Sequence, residues 1–382
     1  VGEGANRVTT VITANQKDLD HASSVGQPQA FIDRLALNEK RIDGLIESLE
    51  TIINLPDPVG EEFDHSTLKN GIKLYKLRVP IGVILIVYEA RPNVTIDTFA
   101  LCLKSGNSCL LKGGTLSRNT NLALVEIITQ ALQDNHVPEG FCQYLDLPQR
   151  EQLPALLKEK DYIDLVIPRG GEALVKTVTE NALMPVIKHD KGIVHIFVDK
   201  EADLQKSWDV CLNAKINRPS TCNSLDVILV HNDIANDFIP TMVQKYKEIP
   251  VEIRGCERTQ KIAPQITAAT AKDWDTEFLD YIVGIKIVAD LAEATDFMNT
   301  HGSRHSEGIM TENETTTKQF IATVDAAVLF TNASTRLNDG GIFGLGAELG
   351  ISTEKIHARG PMGLREMTIY KWIALGTGQI RE

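Results

Sequence analysis

A chain of 382 residues is too long for one compact core, so two or three domains are expected. The composition, with 43% hydrophobic and 24% charged residues, is typical of a soluble globular protein. The net charge of −12 argues against a nucleic-acid surface and a general basic face for membranes, but leaves room for local basic sites that bind a phosphorylated ligand.

The six cysteines are scattered, with no CxxC pair and no histidine cluster at zinc spacing. They are Cys102, Cys109, Cys142, Cys211, Cys222 and Cys256. This pattern favours reduced thiols in a cytoplasmic protein and predicts no metal site. The longest apolar stretch, 79–88, is too short to span a bilayer. The chain begins at Val1 with no evident signal peptide, which leaves its native N-terminus open.

The first 57 residues are predicted to be helical, and strands and helices alternate from residue 82 onwards. Asn70 and Gly71 predict a hairpin turn before an alternating strand at 73–79. Further strands are predicted at 82–88, 108–112, 162–168, 186–188, 194–198 and 367–373, and helices at 95–103, 119–133, 172–180 and from 199. This order predicts an α/β fold with a doubly wound parallel sheet, a type that binds nucleotides at the carboxyl ends of its strands.

One cysteine lies in a setting unlike the others. Cys222 is flanked by small polar residues in the segment 217–224 (NRPSTCNS) and precedes the apolar run 225–231. A cysteine at such a strand edge keeps its sulfur accessible, whereas a structural cysteine usually has apolar neighbours. An ordinary small core residue is the alternative, but the polar context favours a nucleophile.

Several segments resemble one known family. They are 79–94 (VPIGVILIVYEARPNV), 104–107 with 111–114 (KSGN and LKGG), 168–170 (PRG), the segment around Cys222, and 299–306 with 357–361 (NTHGSRHS and HARGP). In this order and spacing they resemble the γ-glutamyl phosphate reductases, NADPH-dependent enzymes of proline biosynthesis in the aldehyde dehydrogenase superfamily. The resemblance spans nearly the whole chain from about Ala14.

The resemblance implies that an acyl phosphate is reduced through a thioester. Cys222 would be the nucleophile, and the N–H of Asn223 would hold the oxyanion. The superfamily's second oxyanion donor is an asparagine side chain near 90–92, where Asn93 is close but displaced. Arginines should surround a substrate that carries a carboxylate and a phosphate, although a surface role is the alternative for each. The substrate-binding candidates are Arg91, Asn93, Arg218 (for the leaving phosphate), Arg304, Arg336 and Arg359.

Hydrolytic members of the superfamily carry a general-base glutamate before the cysteine, but the corresponding stretch here, 188–192 (KHDKG), has none. A general base activates water, whereas an acyl-phosphate reductase must protect its thioester until hydride arrives. The missing glutamate therefore favours a reductase over an aldehyde-oxidising dehydrogenase. His189 is a candidate weak base or, alternatively, a structural residue.

The match also implies a nicotinamide cofactor. Lys112 ends a predicted strand at the position of the superfamily lysine that meets the adenosine ribose. NAD-preferring relatives have an acid two or three positions later, but 113–118 (GGTLSR) has none, which leaves room for a 2′-phosphate and favours NADPH/NADP. The cofactor-binding candidates are Lys112, Gly113, Gly114, Ser117, Arg118, Arg169, Gly170 and Gly171 near the pyrophosphate, and Glu277 and Phe278 near the nicotinamide ribose.

The expected architecture is aldehyde-dehydrogenase-like. It has a Rossmann-type NADP(H)-binding domain (1–57 and 81–207), an α/β catalytic domain (208–345), and a β oligomerisation arm with the C-terminal segment (58–80 and 346–382). Exposed strands such as that in the arm need partners for their edges, so a homodimer or homotetramer is expected. By resemblance, the functional partner is glutamate 5-kinase.

Four alternatives stay open. The chain could use another acyl phosphate, such as an aspartyl or N-acetylglutamyl phosphate, or oxidise an aldehyde with water. It could be the reductase half of a bifunctional Δ1-pyrroline-5-carboxylate synthase, against which the lack of kinase sequence before Ala14 argues. A scaffold that lost the chemistry is the fourth, and the intact Cys222 and Lys112 argue against it.

Overall fold

The computed structural model describes residues 2–147, 149, 151–188 and 191–381. The chain divides into two compact units. The first comprises Val1–Lys188, Gly344–Gly350 and Ile356–Glu382, and the second comprises His189–Phe343 and Ile351–Lys355. Among the described residues, no helix is both long enough and apolar enough to cross a membrane.

Helices and strands alternate through most of the chain. The helices are α1 (Gly2–Ser24), α2 (Gln29–Leu35), α3 (Glu39–Asn54), α4 (Pro92–Lys104), α5 (Arg118–Asp134), α6 (Gln152–Leu156), α7 (Glu172–Asn181), α8 (Leu204–Ile216), α9 (Ala235–Lys247), α10 (Glu257–Ile262), α11 (Leu291–His301) and α12 (Glu314–Thr323). The strands are β1 (Glu62–Thr67), β2 (Lys73–Pro80), β3 (Val83–Tyr88), β4 (Ser108–Lys112), β5 (Cys142–Tyr144), β6 (Leu165–Arg169), β7 (His195–Val198), β8 (Val227–His231), β9 (Glu252–Gly255), β10 (Thr267–Ala268), β11 (Ile282–Val288), β12 (Ser306–Met310), β13 (Val328–Thr331), β14 (Ile351–Ser352), β15 (Gly360–Pro361) and β16 (Thr368–Leu375).

The helical N-terminus predicted from the sequence is confirmed, as three separate helices. Asn38 caps α3, because its side chain accepts a hydrogen bond from the N–H of Arg41 at 3.0 Å. Asn15 of α1 is buried and joins the α2–α3 connection by donating to the carbonyl of Leu35 and accepting from the N–H of Leu37. These bonds satisfy backbone groups that the break between the helices would otherwise leave unpaired.

An exposed three-stranded antiparallel sheet belongs to the first unit, in the order β1-β2-β16. The predicted hairpin turn is confirmed, with Gly71 at φ +86°, a value that favours glycine. The ammonium of Lys76 lies 4.6 Å from the ring centroid of Tyr370 and 4.9 Å from that of Trp372. This cation–π contact holds β2 against β16 on the exposed face.

The first unit also contains a four-stranded parallel sheet in the order β5-β4-β3-β6. Both faces of this sheet are buried, since β3 contributes Ile84 and Ile86 to one apolar cluster and Leu85 to another. The sequence analysis missed β5, which has only three residues. The strand predicted at 186–188 is reduced to a single bridge between Val186 and Val166.

The second unit is built on a seven-stranded parallel sheet in the order β10-β9-β11-β8-β7-β12-β13. The central strand β8 is buried along its whole length, including His231 at its end. The boundary between the units lies at 188/189, whereas the sequence suggested a division near 207/208. The reason is that β7 pairs with β8 and β12, so residues assigned to the cofactor domain belong to the second sheet.

Candidate active site

Cys222 lies in the connection between α8 and β8 of the second unit. Its side chain is partly exposed, whereas Cys211 nearby in the chain is fully buried, and burial raises the pKa of the Cys211 thiol. Gly192 packs directly against the backbone of Cys222: a Cβ on this glycine would lie 2.6 Å from the Cα of Cys222. Only glycine therefore allows this approach, which fixes the position of the cysteine backbone.

Asn223, the next residue, is held from several sides. Its side-chain nitrogen donates to the backbone carbonyl of Asn338 at 2.9 Å, and its backbone carbonyl accepts from the hydroxyl of Thr335 at 2.9 Å. Its side-chain oxygen accepts from the hydroxyl of Thr221 at 2.9 Å and from the guanidinium of Arg336. Within the described part of the chain its backbone N–H has no acceptor. A fixed amide beside a thiol can stabilise an oxyanion.

Arg336 contacts the residue after Cys222, and its charge interacts with both Cys222 and Arg218. Arg336, which also donates from Nε to the side chain of Asn217 at 3.3 Å, is partly buried, whereas Arg218 is exposed. Burial and the positive charge of Arg218 lower the pKa of Arg336, and the Cys222 thiol opposes this shift. Two cations so close together repel each other, so the arrangement favours an anionic ligand.

A buried ion pair, Lys215 with Asp226, joins residues on either side of Cys222 in the sequence. The ammonium of Lys215 lies 3.9 Å from the carboxylate of Asp226, both side chains are buried, and the Lys215 nitrogen has no hydrogen-bond partner among the described residues. Burial raises the pKa of Asp226 to about 7 and lowers that of Lys215. The same carboxylate accepts from the N–H of Phe278 at 3.1 Å and from that of Val194 at 3.3 Å. Asp226 therefore connects three separate segments.

Glu277 and Phe278, the residues predicted to hold the nicotinamide ribose, lie in the connection before β11. The ring of Phe278 stacks under the guanidinium of Arg254 at 5.3 Å. Through Phe278 N–H and Asp226, this connection is tied to the start of β8, a few residues after Cys222. Within the second unit, the segment of Glu277 and Phe278 is therefore joined to the segment that follows Cys222.

The other substrate-binding candidates are spread over both units. In the first unit, Arg91 precedes α4, the side chain of Asn93 donates to Asp97 at 3.2 Å, and Arg359 directly precedes β15. In the second unit, Arg304 has a left-handed backbone (φ +61°), and its guanidinium faces Asp325 at 3.6 Å. Their contacts with substrate stay predictions. His189 lies outside the described residues.

The carboxyl edge of the first unit's parallel sheet carries the predicted adenosine site. Lys112 ends β4 half-buried, and its ammonium makes a single hydrogen bond, to the carbonyl of Gly113 at 3.0 Å, within the described part of the chain. A Cβ on Gly113 would collide with the amide of Asn121 and lie 3.0 Å from the Tyr144 hydroxyl. Burial lowers the pKa of Lys112, and Asp146 opposes this shift.

The segment after Gly114 differs from the prediction in two respects. Ser117 is fully buried: its hydroxyl donates to the carbonyl of Gly114 and accepts from Asn121, so it does not face a ligand in this structure. Arg118 is paired with Asp146, which follows β5. The segment 113–118 has no acid of its own, and the carboxylate that Arg118 contacts belongs to the loop after β5.

The predicted pyrophosphate turn already holds a carboxylate. The N–H of Gly171, at the N-terminus of α7, donates to the carboxylate of Glu89 at 2.9 Å. A Cβ on Gly170 would lie 2.7 Å from Leu174 and 2.8 Å from Glu89. Arg169 ends β6, and its backbone carbonyl accepts from the N–H of Glu89 at 3.1 Å. Helix N-termini favour anions, so the turn has the polarity that a pyrophosphate requires.

The model of the aldehyde dehydrogenase family matches residues 7–282. The chain belongs to the aldehyde dehydrogenase family. A γ-glutamyl phosphate reductase of Thermodesulfovibrio yellowstonii is 49% identical over 372 residues, which cover 97% of this chain and 89% of that protein. One from Clostridium perfringens is 47% identical over 375 residues, covering 98% and 90%. The crystal structure of γ-glutamyl phosphate reductase from Thermotoga maritima is 46% identical and matches with a TM-score of 0.96, covering 99% of this chain and 91% of that one.

For this member of the aldehyde dehydrogenase family, the predicted fold and the resemblance to γ-glutamyl phosphate reductases are confirmed. The sequence analysis assigned no role to several residues that contact the predicted ones: Glu89 and Asp146 in the first unit, and Lys215, Asn217, Asp226 and Asn338 in the second. Two of them had a signal: a lysine or aspartate inside an otherwise apolar stretch, as at Lys215 and Asp226, indicates a buried pair. Among the described residues, no group of three or more His, Cys, Asp or Glu side chains is arranged to hold a metal ion.

Proposed function

We propose that this protein reduces L-glutamyl 5-phosphate to L-glutamate 5-semialdehyde, with NADPH as the hydride donor, phosphate as the second product, and a thioester on Cys222 as the intermediate. The observation that carries the proposal is the surroundings of Cys222, where Asn223 is fixed by Asn338 and Arg336, and where the charge of Arg336 interacts with Cys222 and Arg218. The names of relatives that cover almost the whole chain supply the substrate.

In the first half-reaction the Cys222 thiolate attacks C5 of the acyl phosphate. The carbonyl oxygen takes up the electron pair, and the N–H of Asn223 stabilises the resulting oxyanion. When the carbonyl re-forms, the C5–O bond to phosphate breaks and phosphate leaves with that electron pair. Arg218 and Arg336 stabilise the departing dianion.

The second half-reaction needs a hydride, which NADPH supplies when bound. Addition of hydride to the thioester carbon regenerates an oxyanion at the Asn223 N–H, and its collapse expels the Cys222 thiolate and releases the aldehyde. Residues of the first unit fit a dinucleotide. Lys112 is a half-buried cation with one internal hydrogen bond, and an N–H at the N-terminus of α7 donates to a carboxylate. The absence of glutamate from 188–192 supports protection of the thioester from water.

The test runs the reaction in reverse. Purified protein receives pyrroline-5-carboxylate, the cyclised form of the product, and NADP⁺, and the absorbance of NADPH is followed with and without inorganic phosphate. Phosphate-dependent formation of NADPH supports phosphorolysis of the thioester. Equal rates without phosphate would mean that water is the acceptor and that the protein is an aldehyde-oxidising enzyme. No NADPH in either case, with binding of NADPH intact, would favour another acyl phosphate.

Cys222→Ser provides the specific control, with Cys256→Ser as its match. Both cysteines are partly exposed. Burial favours a higher pKa of the Cys256 thiol, but hydrogen bonds with Thr259 and the backbone outweigh it and lower the pKa. Cys256 is thus an ionisable thiol outside the proposed site. We expect Cys222→Ser to lower turnover about 1,000-fold or more while NADPH binding persists, and Cys256→Ser to leave turnover unchanged.

The product assigns the reaction to the second step of proline biosynthesis from glutamate, with glutamate 5-kinase as the supplier of the acyl phosphate. We also propose a homodimer or homotetramer in which the β1-β2-β16 sheet contacts another subunit. β16 is an edge strand of this sheet, and its side chains Ile369, Tyr370 and Trp372 are exposed. Unpaired strand edges with apolar side chains tend to associate, which supports the proposal. Sedimentation of the protein and of Trp372→Glu tests it: a monomeric parent protein would contradict the proposal.

A further inference from the structure

Arg118 and Asp146 form an ion pair at the carboxyl edge of the first unit's parallel sheet. Nε of Arg118 donates to one carboxylate oxygen at 2.7 Å and Nη2 donates to the other, so the contact is bidentate. The two side chains are 45% and 38% exposed, which leaves both accessible to a ligand. A bidentate pair of this kind uses the same guanidinium face that would bind a phosphate.

The pair stands next to Lys112. The strands β4 and β5 are adjacent and parallel, so their carboxyl ends meet at one edge. Lys112 ends β4, and Asp146 lies two residues beyond the end of β5. The pKa of Asp146 is lowered mainly by Arg118 and also by Lys112, which indicates that the carboxylate faces both cations. The edge therefore presents two cations with one carboxylate shared between them.

In doubly wound sheets, the group at this edge decides which dinucleotide binds. A carboxylate accepts a hydrogen bond from the ribose 2′-hydroxyl of NADH, whereas an arginine binds the 2′-phosphate of NADPH. This chain has both groups, and they are bound to each other: Arg118 pairs with Asp146. A 2′-phosphate can bind Arg118 only if the guanidinium leaves Asp146, and the two anions then repel each other.

We propose that Asp146 is the specificity-determining residue for the dinucleotide: it restrains Arg118, disfavours the 2′-phosphate and accepts the 2′-hydroxyl. This inference rests on the proposed function, because it assumes that the dinucleotide binds at this edge. The ratio of the affinity for NADPH to that for NADH is then smaller than Arg118 alone would give. Exchange of Arg118 between Asp146 and the 2′-phosphate sets that ratio.

The test measures binding without turnover. Dissociation constants of NADPH and NADH are determined by calorimetry for the parent protein, Asp146→Asn and Arg118→Ala. Asp146→Asn should bind NADPH about tenfold more tightly relative to NADH, because Arg118 is released and a negative charge is removed. Arg118→Ala should shift the ratio towards NADH by a similar factor. Adenosine 2′,5′-bisphosphate and adenosine 5′-phosphate should reproduce both shifts, since they differ only at the 2′ position.

The matched control is Asp33→Asn, which breaks another exposed contact between an arginine and an aspartate in the first unit, with Arg41. It should change neither constant. In a double variant, Asp146→Asn should have a smaller effect once Arg118 is alanine, because only the direct effects of the carboxylate on the 2′-phosphate and the 2′-hydroxyl remain.

The outcomes separate the two proposals. If the parent protein binds both dinucleotides and Asp146→Asn alters their ratio less than about twofold, Asp146 does not determine specificity, and the proposed function stands. If the parent protein binds neither dinucleotide, the cofactor assignment fails and this inference fails with it. If Arg118→Ala leaves the affinity for NADPH unchanged, the arginine does not meet the 2′-phosphate, and the inference is likewise wrong.

Discussion

The guanidinium of Arg336 donates a hydrogen bond to the side chain of Asn223, the residue that follows Cys222. A second bond joins Arg336 to Asn217, so one arginine bridges both ends of the loop that carries the thiol. The positive charge beside the cysteine is therefore positioned by the loop itself. Such a cation can stabilise both a thiolate and a departing phosphate.

Replacing Arg336 should weaken phosphate binding. Arg336→Lys keeps the charge but loses the planar fork, so in the reverse reaction the KM for phosphate should rise about tenfold, and Arg336→Ala should raise it about a hundredfold. Arg41→Lys, on the surface of α3, serves as the control with an unchanged KM. If Arg336→Lys retains the parental KM for phosphate, Arg336 does not contact phosphate.

A methyl group at Gly192 should displace Cys222, the proposed nucleophile. Its Cβ would lie 2.6 Å from the Cα of Cys222, which is too close for two carbon atoms that are not bonded, so the loop must move. We expect the turnover of Gly192→Ala to fall about a hundredfold and the alkylation of Cys222 by iodoacetamide to change in rate.

Gly44→Ala is the counterpart of this variant, since nothing lies within 4 Å of its new methyl group in the middle of α3. It should keep full turnover and gain about 0.5–1 kcal/mol in stability, because alanine favours the helix. Parental alkylation and turnover in Gly192→Ala would show that the loop adapts without moving the thiol.

Stability should depend on pH through Asp226. Burial raises its pKa from 3.8 to about 7, so the folded state holds a proton that the unfolded chain loses. The stability that this proton contributes is fully present below pH 3.8 and is lost as the pH rises through about 7, with a slope of at most about 1.4 kcal/mol per pH unit. Asp226→Asn removes this slope, so the variant should become more stable relative to the parent as the pH rises.

Urea unfolding between about pH 5 and pH 7 measures the difference. Lys215, whose pKa burial lowers, contributes with the opposite sign. The control is Asp209→Asn on α8: hydrogen bonding from Gln205 lowers the pKa of this exposed carboxyl, so its contribution changes only under more acidic conditions. Parallel pH profiles for Asp226→Asn and the parent protein would contradict the raised pKa.

Glu89 should compete with the cofactor. Its carboxylate occupies the N–H of Gly171, where a pyrophosphate is proposed to bind, so a dinucleotide must displace it. Glu89→Gln keeps a weak acceptor without the charge, and we expect ADP and NADPH to bind about two- to fivefold more tightly, as measured by calorimetry. Glu180→Gln, in the last turn of the same helix, should have no effect. Weaker binding by Glu89→Gln would mean that the carboxylate assists the cofactor.

The local sequence predicted the parts of the site that depend on neighbours in the chain. Lys112 and Cys222 could be placed at strand ends because apolar runs adjoin them, and the structure has β4 ending at Lys112 and β8 beginning soon after Cys222. Ser117 was predicted to face a ligand, yet it is buried, because its hydroxyl satisfies the carbonyl of Gly114 in the turn before α5. The side-chain direction in such a turn is set by packing, which spacing does not reveal.

Contacts between distant residues could not be predicted. The absence of an acid from 113–118 was interpreted as room for a 2′-phosphate, but Asp146 arrives from a strand too short to be recognised. Asn338 reaches Asn223 across more than a hundred residues in the same way. In each case the order of strands in the sheet, rather than the local pattern, brings the partners together.

The two hydrogen bonds that the Asp226 side chain accepts also bear on how this enzyme can be re-engineered. A loop graft that carries the nucleophile from a relative with a different buried residue at this position would strand the amides of Phe278 and Val194 without an acceptor. The smallest transferable module is therefore discontinuous: it comprises the cysteine loop together with the two segments fastened to Asp226. Chimeras whose junctions lie outside all three segments should inherit the donor's acyl selectivity. Chimeras with a junction between these segments should lose solubility before they change selectivity.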